Sequence, residues 1–292
     1  MGLAVSGGPD SMAMLALAAA TRPGEIEVAT VNHGLRPEAA DECALVLAAC
    51  EARDISCTVL TVEVGAGNLQ TEAREGRYRA LLAWASDRGL QAVATAHHAD
   101  DQAETVLMRL MRGSGLQGLA GIRPQVVFEN TDIPVIRPLL GFRRDELREV
   151  IAETGMPFAS DPSNEDESFD RVRMRKAIAD ADWLDPVAIT RSAGHLSEAE
   201  STLEALADQF WRKRSDAGEG EVTVPMTDFN DSNARLIVRA ATSLGASVRL
   251  GDVIALLGNE MAQRGKANIA GVLIEQVGQT YRIRREPPRN TG

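Results

Sequence analysis

The stretch Ser6-Gly7-Gly8-Pro9-Asp10-Ser11 decides the fold of this chain. It lies between the apolar run Leu3-Ala4-Val5 and an Ala/Leu/Met-rich segment from Met12 to Ala20. A strand, a glycine loop and a helix start in that order form a cradle for phosphate groups. The two glycines can adopt backbone angles closed to other residues, and the two serines add hydroxyl donors. We interpret residues 6–11 as a phosphate-binding loop.

Two common nucleotide-binding motifs are missing from this loop. It has no Gly-Lys-Ser or Gly-Lys-Thr ending, so it is not the loop that steadies the β- and γ-phosphates with a lysine. The dinucleotide-binding spacing G-x-G-x-x-G is also absent. Spacing alone leaves open an ordinary Gly-Gly turn in front of a helix.

At 292 residues, the chain is long enough for a full α/β domain and a smaller second domain. Its hydrophobic content of 44% and charged content of 25% are those of a soluble globular protein. No apolar run approaches the ~20 residues that span a bilayer, and no basic segment precedes an apolar one. We therefore expect a cytoplasmic protein without a membrane span. The cysteines Cys43, Cys50 and Cys57 lack paired spacing, so we expect packed, reduced thiols.

The net charge of −11 is unevenly distributed along the chain. Residues 1–187 contain 18 basic and 29 acidic side chains, whereas residues 188–292 contain 13 of each. Within the second part, residues 235–292 contain 9 basic and 4 acidic side chains. Most of the basic residues are arginines, whose planar guanidinium suits phosphate binding and base stacking. This region is a candidate polyanion-binding surface, and a solvated helix face is the alternative.

Strand-like and helix-like patterns alternate over the first 113 residues. Short β-branched or apolar runs predict strands, and longer amphipathic runs predict helices. After the first strand, the predicted strands are Ile26–Val31, Cys57–Val64 and Ala92–Ala96, and the predicted helices are Pro37–Asp54, Leu69–Arg88 and Asp101–Arg112. This order indicates an α/β fold with a doubly wound, Rossmann-like parallel sheet.

Ligands of such sheets bind beyond the carboxyl ends of the strands. Three loops fall at that edge, namely Ser6–Ser11, Asn32-His33-Gly34 and His97–Asp101. We therefore expect three segments that are distant in sequence to line one crevice.

The pattern changes after Gly113. The predicted elements there are a hairpin around Val126–Ile136, helices over Arg143–Thr154, Val187–Asp216, Asn233–Ser243 and Leu250–Gln263, and strands near Ile269–Gln276 and Gln279–Arg284. Asp185-Pro186 marks a predicted domain boundary. We expect an α/β domain over residues 1–185, and over residues 186–292 a smaller, mainly helical domain that ends in a short β-hairpin.

A second polar cluster, His97-His98-Ala99-Asp100-Asp101-Gln102-Ala103-Glu104-Thr105, stands where a strand ends and a helix begins. Asp101 and Glu104 are three residues apart and share one helix face. The helix dipole keeps carboxylates at this end ionised, so the pair can hold a magnesium ion or an amine. For the carboxylates, the alternative is that they cap the charge at the helix N-terminus. For the histidines, the alternative is that they are ordinary hydrogen-bonded side chains at the end of a strand. A zinc site is disfavoured because no third ligand has suitable spacing.

The loop over residues 6–11 resembles the pyrophosphate-binding loop of the N-type ATP pyrophosphatases, the PP-loop superfamily. Within that superfamily, six further segments resemble the tRNA(Ile)-lysidine synthetase family. They are Val31–Arg36, Asn68-Leu69 with Ala73–Tyr78, His97–Thr105, Arg112–Leu116 with Gly118-Leu119, Arg137–Leu140, and Asp161–Asn164. The resemblance runs from residue 3 to about 178. It implies that residues 1–185 are the catalytic domain and that residues 186–292 comprise a helical linker and a C-terminal tRNA-binding domain.

This resemblance implies an ATP-dependent ligase with a two-step reaction. In the first step, the carbon 2 oxygen of the wobble cytidine in an isoleucine tRNA with a CAU anticodon is adenylated by ATP, and pyrophosphate leaves. In the second, the ε-amine of L-lysine attacks that carbon, expels AMP and leaves lysidine. A departing pyrophosphate needs a dense set of N–H donors, which residues 6–11 offer.

The resemblance also implies three catalytic residues. Asp101 and Glu104 would hold the lysine ammonium and deprotonate it. Arg74 would meet a phosphate or the carboxylate of the lysine substrate, and a surface helix arginine is the alternative.

Binding residues are implied in the same way. ATP would lie on Ser6, Gly7, Gly8, Pro9, Asp10 and Ser11. Asp10 is the candidate ligand of the Mg²⁺ that accompanies ATP, and a helix-capping role is the alternative for it. Phosphates of the anticodon stem would meet Arg171, Arg173, Arg175 and Lys176. The resemblance leaves open whether the chain forms a homodimer.

Two features depart from the family's pattern. Only Met1–Val5 precede the loop, whereas family members usually carry a longer first strand, so we expect a short central strand. The family's Arg-Asn-Arg element is Arg171-Val172-Arg173 here, which removes one amide side chain.

Two other functions remain as alternatives. A related adenylating tRNA thiolase would rely on a cysteine persulfide or an iron–sulfur cluster, and the three cysteines lack the spacing for either. A non-catalytic nucleotide-binding module with a helical interaction tail would bind ATP without releasing pyrophosphate.

Overall fold

The computed structural model describes residues 1–32, 34, 38–62, 69–128, 131–160, 170–214, 216–218 and 220–286. The chain divides into two compact units. Unit 1 comprises Met1–Gly113 and Gly118–His195, and unit 2 comprises Ser114–Gln117 and Leu196–Gly292. The predicted boundary after residue 185 coincides with the start of a long helix at Pro186, and as a division between domains it stays a prediction.

Unit 1 is built on a six-stranded sheet. Its strands are β1 (Gly2–Ala4), β2 (Glu27–Asn32), β3 (Cys57–Thr61), β4 (Val93–Ala94), β5 (Gln125–Val126) and β6 (Val135–Ile136). They are arranged in the order β3-β2-β1-β4-β6-β5, and all neighbours are parallel except β5 and β6. The order reverses beside β1, as in doubly wound sheets. The predicted Rossmann-like fold is therefore confirmed.

Helices follow the strands of this sheet. In unit 1 they are α1 (Pro9–Thr21), α2 (Glu38–Glu51), α3 (Leu69–Asp87), α4 (Ala99–Met111), α6 (Arg144–Thr154) and α7 (Asp170–Ala179). Two further helices, α5 (Leu116–Leu119) and α8 (Pro186–Arg214), have residues in both units. Proline suits the first position of α1, because its fixed φ is helical and its missing N–H has no partner there in any case. Cys43 and Cys50 are buried free thiols on α2, in agreement with the predicted packing role.

The central strand β1 has only three residues, as the short segment before the loop predicts. Its position compensates for its length, because Leu3 and Val5 are buried with Met12 and Leu15 of α1 and with Leu147 of α6. Fully burying an aliphatic side chain contributes roughly 1.5–3 kcal/mol. The strand that supports the loop is thus held by this packing as well as by its pairing with β2 and β4.

Some predicted features lie outside the described residues. They include His33 of the second crevice loop, parts of the Val31–Arg36 and Asn68–Tyr78 motifs, and all of Asp161–Asn164. The predicted hairpin around Val126–Ile136 is confirmed by the antiparallel pairing of β5 with β6, with residues 129–130 not described.

Unit 2 contains a five-stranded antiparallel sheet with helices. The strands are β7 (Asp216–Gly218), β8 (Glu221–Pro225), β9 (Lys266–Ile269), β10 (Val272–Val277) and β11 (Thr280–Arg285), and the helices are α9 (Asn230–Ser243), α10 (Leu250–Leu256) and α11 (Ala262–Arg264), with a π-helical turn over Leu257–Met261. Pairing of β10 with β11 confirms the predicted hairpin. The other strands enlarge that hairpin into a sheet in the order β7-β8-β11-β10-β9, which goes beyond the predicted two-stranded hairpin.

Some arginines of the predicted polyanion-binding region have internal partners. Arg235 is 1% exposed, and its guanidinium is 2.7 Å from Glu200 Oε2 and 2.6 Å from Asp231 Oδ2. Arg239 is 2.7 Å from Asp208 Oδ1. These two side chains therefore hold α9 against α8 within unit 2. Across the described ranges, no helix is long and apolar enough to cross a membrane.

The loop between β1 and α1 contains one glycine that the backbone requires. Gly7 has a φ of 87°, and a Cβ atom there would lie 3.3 Å from the carbonyl oxygen of Glu42. Gly8 has a φ of −71°, and its added Cβ would meet only Ser6 Oγ, at 3.7 Å. The two neighbouring glycines thus differ in how well they tolerate a side chain.

We predict that Gly7→Ala lowers the free energy of unfolding by about 1–3 kcal/mol, because alanine is strained at positive φ. Gly8→Ala is the matched control and should lower the free energy of unfolding by less, because any residue can adopt the backbone angles of Gly8. Urea unfolding of both variants measures the difference. Equal destabilisation by the two substitutions would contradict this account of the loop.

Candidate active site

The loop and the start of α4 lie side by side at the carboxyl edge of the sheet, because β1 pairs directly with β4. The Ser6 N–H donates to Ser11 Oγ at 3.1 Å, and the Ser11 hydroxyl donates to Gly8 O at 2.9 Å. These bonds fold residues 6–11 around the first turn of α1, where the leading N–H groups have no acceptor within the helix. The loop therefore has the form of an anion-binding helix start.

His98 joins the loop to α4. Its imidazole is fully buried, with Nε2 3.4 Å from Asp10 Oδ2 and 3.6 Å from Asp101 Oδ2, and Nδ1 3.4 Å from Asp100 Oδ2. Burial lowers the pKa of His98, but the three carboxylates outweigh burial and raise that pKa to about 9. The ring is therefore an imidazolium at neutral pH, and this positive charge holds three negative ones together.

The two aspartates beside His98 are ionised. Burial raises the pKa of Asp100, but the contacts with His98 and with the backbone N–H of Arg144, at 2.8 Å, lower it to about 2. For Asp101, burial likewise raises the pKa, and the charges of His98 and Arg171 bring it below its usual range. Asp101 Oδ2 also accepts the His98 backbone N–H at 3.2 Å, so the predicted helix-capping role is real.

Glu104 is the most deeply buried carboxylate of this edge, with 1% of its side chain exposed. Arg171 bridges the two predicted carboxylates, with Nε 2.6 Å from Glu104 Oε2 and NH2 2.9 Å from Asp101 Oδ1. Arg175 Nε lies 2.8 Å from Glu104 Oε1, and Arg144 NH2 lies 3.6 Å from the same oxygen. Both oxygens of Glu104 are thus paired with arginines.

The structure separates the four basic residues predicted on α7. Arg171 and Arg175 face Asp101 and Glu104, so in this state their cationic groups meet protein carboxylates. Arg173 and Lys176 are exposed, and Arg173 pairs with Asp170 at the start of α7. Arg171 and Arg175 remain 46% and 29% exposed, so solvent reaches both side chains.

His97 marks the other side of the α4 start. Its Nδ1 is 3.0 Å from Thr95 Oγ1. The pKa of His97 is lowered to about 4, and burial is the main cause. The charge of Asp101 raises this pKa, and the charges of Arg137, Arg74 and Arg77 lower it. The imidazole is therefore neutral at neutral pH. Arg74, the third predicted catalytic residue, is thus within electrostatic reach of this edge.

Several residues of this edge are not identified by the sequence analysis. Arg144 reaches Glu104 from α6, 40 residues along the chain, and no local pattern indicates that contact. Arg137 belongs to the Arg137–Leu140 segment, which is one of the segments that resemble the family, but the sequence predicts no function for this arginine. The burial of His98 depends on the pairing of β1 with β4, which brings Asp10 to it.

Asp10 suits a magnesium ion that accompanies ATP. Its Oδ1 is buried and accepts no hydrogen bond from the described residues. In proteins, Mg²⁺ commonly takes one or two carboxylates and completes its shell with substrate phosphates and water. Within the described ranges, no three His, Cys, Asp or Glu side chains are grouped to hold a metal ion by themselves. The donors present therefore fit a magnesium ion shared with phosphates.

Comparisons with known proteins agree with this geometry. A family model described as a PP-loop domain matches residues 1–181. The tRNA(Ile)-lysidine synthase of Novosphingobium aromaticivorans is 42% identical over 98% of this chain and 88% of its own length. That of Zymomonas mobilis subsp. mobilis is 37% identical over 99% of this chain and 89% of its own length.

A solved structure shares the fold. The U34-tRNA thiolase NcsA from Methanococcus maripaludis, which carries a [4Fe-4S] cluster, superposes with a TM-score of 0.59 and 18% identity. The superposition covers 68% of this chain and 72% of the thiolase. At that identity the similarity concerns the fold alone.

The raised pKa of His98 predicts a specific pH dependence of stability. The pKa of His98 is 6.5 for a free side chain and about 9 in the fold. The ion pairs of His98 therefore stabilise the fold fully below pH 6.5, and this stabilisation is lost as the pH rises through 9. The difference in free energy of unfolding between the wild type and His98→Gln should therefore shrink from pH 6.5 to above pH 9. Urea unfolding measures it, with the exposed His195→Gln as the control. A difference that stays constant or grows would contradict the imidazolium assignment.

Proposed function

Because the chain belongs to the tRNA(Ile)-lysidine synthase family of PP-loop proteins, we propose that its two reaction steps take place at the edge shared by the loop and α4. The chain is an ATP-dependent ligase that forms lysidine on tRNA(Ile). The observation that carries the proposed site is the contact of His98 with both Asp10 and Asp101. One ring thereby joins the proposed phosphate-binding loop to the proposed amine-binding carboxylate.

In the first step, residues 6–11 hold the phosphates of ATP. The carbon 2 oxygen of cytidine attacks the α-phosphorus, and the bond from that phosphorus to pyrophosphate breaks. Negative charge builds on the departing pyrophosphate, where the leading N–H groups of α1 and the Ser6 hydroxyl donate hydrogen bonds, while the Ser11 hydroxyl, which donates to Gly8 O, holds the loop in shape. A magnesium ion held by Asp10 supplies further charge neutralisation when bound.

In the second step, the ε-amine of L-lysine attacks carbon 2, and the bond from carbon 2 to the AMP oxygen breaks. Asp101 is our candidate for holding the incoming ammonium, because it is ionised and 16% exposed. The positive charges that lower the pKa of Asp101 also make it a weak base. We therefore assign Asp101 to binding and orienting the amine. We propose Glu104 as the acceptor of the proton that the ammonium loses before it attacks, and we retain Arg74 as a proposed participant.

The ion pairs of Glu104 with two arginines suggest a role for tRNA in the second step. Its two oxygens are ion-paired, so an ammonium reaches Glu104 only if an arginine gives way. RNA phosphates compete for arginine through charge-assisted hydrogen bonds. We propose that anticodon-stem phosphates bind Arg173 and Lys176 directly and bind Arg171 and Arg175 by exchange with the carboxylates. The CAU anticodon, the lysine substrate, a homodimer and a cytoplasmic location remain part of this proposal.

The two alternatives are not favoured. Relatives that match nearly the whole chain are lysidine synthases, whereas the similarity to a thiolase concerns the fold alone. A non-catalytic nucleotide-binding module is disfavoured by the same relatives, which are enzymes by name.

The proposed function is tested by combining the full chain with ATP, radiolabelled L-lysine and unmodified isoleucine tRNA with a CAU anticodon. We expect label in the tRNA, with AMP and pyrophosphate in solution. A methionine tRNA with the same anticodon is the control for tRNA identity and should remain unlabelled. If ATP binds but neither lysine incorporation nor pyrophosphate release follows, the proposed function is wrong.

A further inference from the structure

Trp183, in the turn between α7 and α8, is left outside the packing of unit 1. It is 82% exposed, the highest value among the large apolar side chains that the structure describes. The turn around it is nevertheless fixed, because the Leu184 N–H donates to the carbonyl of Ala181 at 3.0 Å and the Val187 N–H donates to Asp185 Oδ1 at 3.0 Å. The indole is therefore presented to solvent from an ordered turn without contributing much to the core.

A second exposed aromatic side chain stands close to this turn. Asp185, two residues after Trp183, accepts a hydrogen bond from Arg143 NH2 at 3.3 Å. Two residues of chain span at most about 7 Å, so the backbone of Trp183 is close to this ion pair. Phe142, which directly precedes Arg143, is 44% exposed. We call Phe142 and Trp183 the aromatic rim, since one ion pair joins the two segments that carry them.

Backbone hydrogen bonds place the aromatic rim beside the proposed active site. The carbonyl of Phe142 accepts the N–H of Ala99, the first residue of α4, at 2.8 Å. The Arg144 N–H donates to Asp100 Oδ2, also at 2.8 Å. Asp101, the proposed amine-binding residue, is next along the same helix turn. The aromatic rim thus borders the place where the target base of the tRNA would have to lie.

The charges around the aromatic rim determine which part of an RNA molecule fits it. Arg173 and Lys176 are exposed on α7, the helix that leads into the turn, and cations of this kind suit phosphates. Asp180 and Asp182 are exposed next to Trp183, and their charges would repel a phosphate at the indole itself. A nucleobase is uncharged and stacks on an aromatic face. The aromatic rim therefore fits an unpaired base whose phosphates lie towards α7.

We propose that Trp183 and Phe142 stack on a base of the anticodon loop that neighbours the target cytidine. Proteins recognise single-stranded RNA loops by splaying out bases and stacking them on aromatic side chains. A stacked neighbour would hold the loop open and direct the cytidine to the edge between residues 6–11 and α4. This inference rests on the proposed function and deepens it, because it adds two positioning residues for the RNA substrate.

A protein partner fits the aromatic rim less well than a base does. A stable protein interface buries about 800 Å² on each side, whereas two aromatic side chains offer at most about 500 Å² together. The acidic side chains of Asp180 and Asp182 further limit the apolar surface around Trp183. The aromatic rim has the size of one or two stacked bases.

The first experiment measures the dissociation constant of the full chain for unmodified isoleucine tRNA with a CAU anticodon. Trp183→Leu keeps an apolar side chain but removes the aromatic face, whereas Trp183→Phe keeps a face. The dissociation constant should rise by about 5- to 100-fold for Trp183→Leu, as for the loss of one stacked base, and by about threefold or less for Trp183→Phe. Val59→Ala, on the edge strand β3 and 40% exposed, is the control and should bind as the wild type.

The second experiment identifies the base. Isoleucine tRNAs that each lack one base of the anticodon loop are bound to the wild type, to Trp183→Leu and to Phe142→Leu. At a position next to the target cytidine, removal of the base should weaken binding to the wild type but leave binding to the two variants unchanged, because both changes remove the same contact. At the other positions, the two losses should multiply.

Wild-type affinity of either leucine variant, or losses that multiply at every position, would overturn the proposal. A loss of self-association in place of a loss of tRNA affinity would make the aromatic rim a protein contact and overturn it as well. Both side chains are exposed, so the variants should fold, and circular dichroism checks this. If the binding pattern holds but the wild type incorporates no lysine, the proposed function is wrong and the stacking role stands.

Discussion

A buried positive charge on His98 is the interaction on which this edge of the molecule depends. Three carboxylates, those of Asp10, Asp100 and Asp101, lie within 3.6 Å of its ring nitrogens. Without the imidazolium, these like charges would repel one another in a region of low dielectric. Through these contacts, His98 ties the loop before α1 to the first turn of α4.

The same cluster extends to two further helices of unit 1. Asp100 accepts the first backbone N–H of α6, and Asp101 accepts a hydrogen bond from Arg171 of α7. A lysidine synthase must bring an anionic leaving group, and an amine that arrives as a cation, to one nucleotide. In the proposed mechanism, the N–H donors of residues 6–11 bind the leaving group and the Asp101 carboxylate binds the amine. The His98 imidazolium lies between these two sites and contacts both Asp10 and Asp101.

Local chemistry explains what the sequence predicts well. Gly7 takes a positive φ, the i, i+3 spacing puts Asp101 and Glu104 on one face of α4, and alternation of strands with helices predicts the parallel sheet. The contacts that the sequence does not predict are long-range. Nothing local indicates that Arg171 and Arg175 pair with Asp101 and Glu104, because their partners lie about 70 residues earlier in the chain. The arginines that accompany His97 come from α3 and from the end of β6, and only the folded sheet brings them together. In unit 2, β7 and β9 have only three and four residues and lack a clear alternating pattern. In β8, Val222 and Val224 do alternate with outward-facing residues, so this strand carries a sequence signal that the prediction above does not use.

The measurement that tests the central claim most directly is a single turnover of Asp101→Asn with ATP labelled at the α-phosphate. If the loop performs adenylation and Asp101 holds the amine, label should accumulate on the tRNA, pyrophosphate should be released, and lysine transfer should fall by about tenfold or more. The control Asp145→Asn, whose carboxylate is 86% exposed, should behave as the wild type. Lysine transfer at the wild-type rate by Asp101→Asn, or label found on lysine rather than on tRNA, would contradict the account.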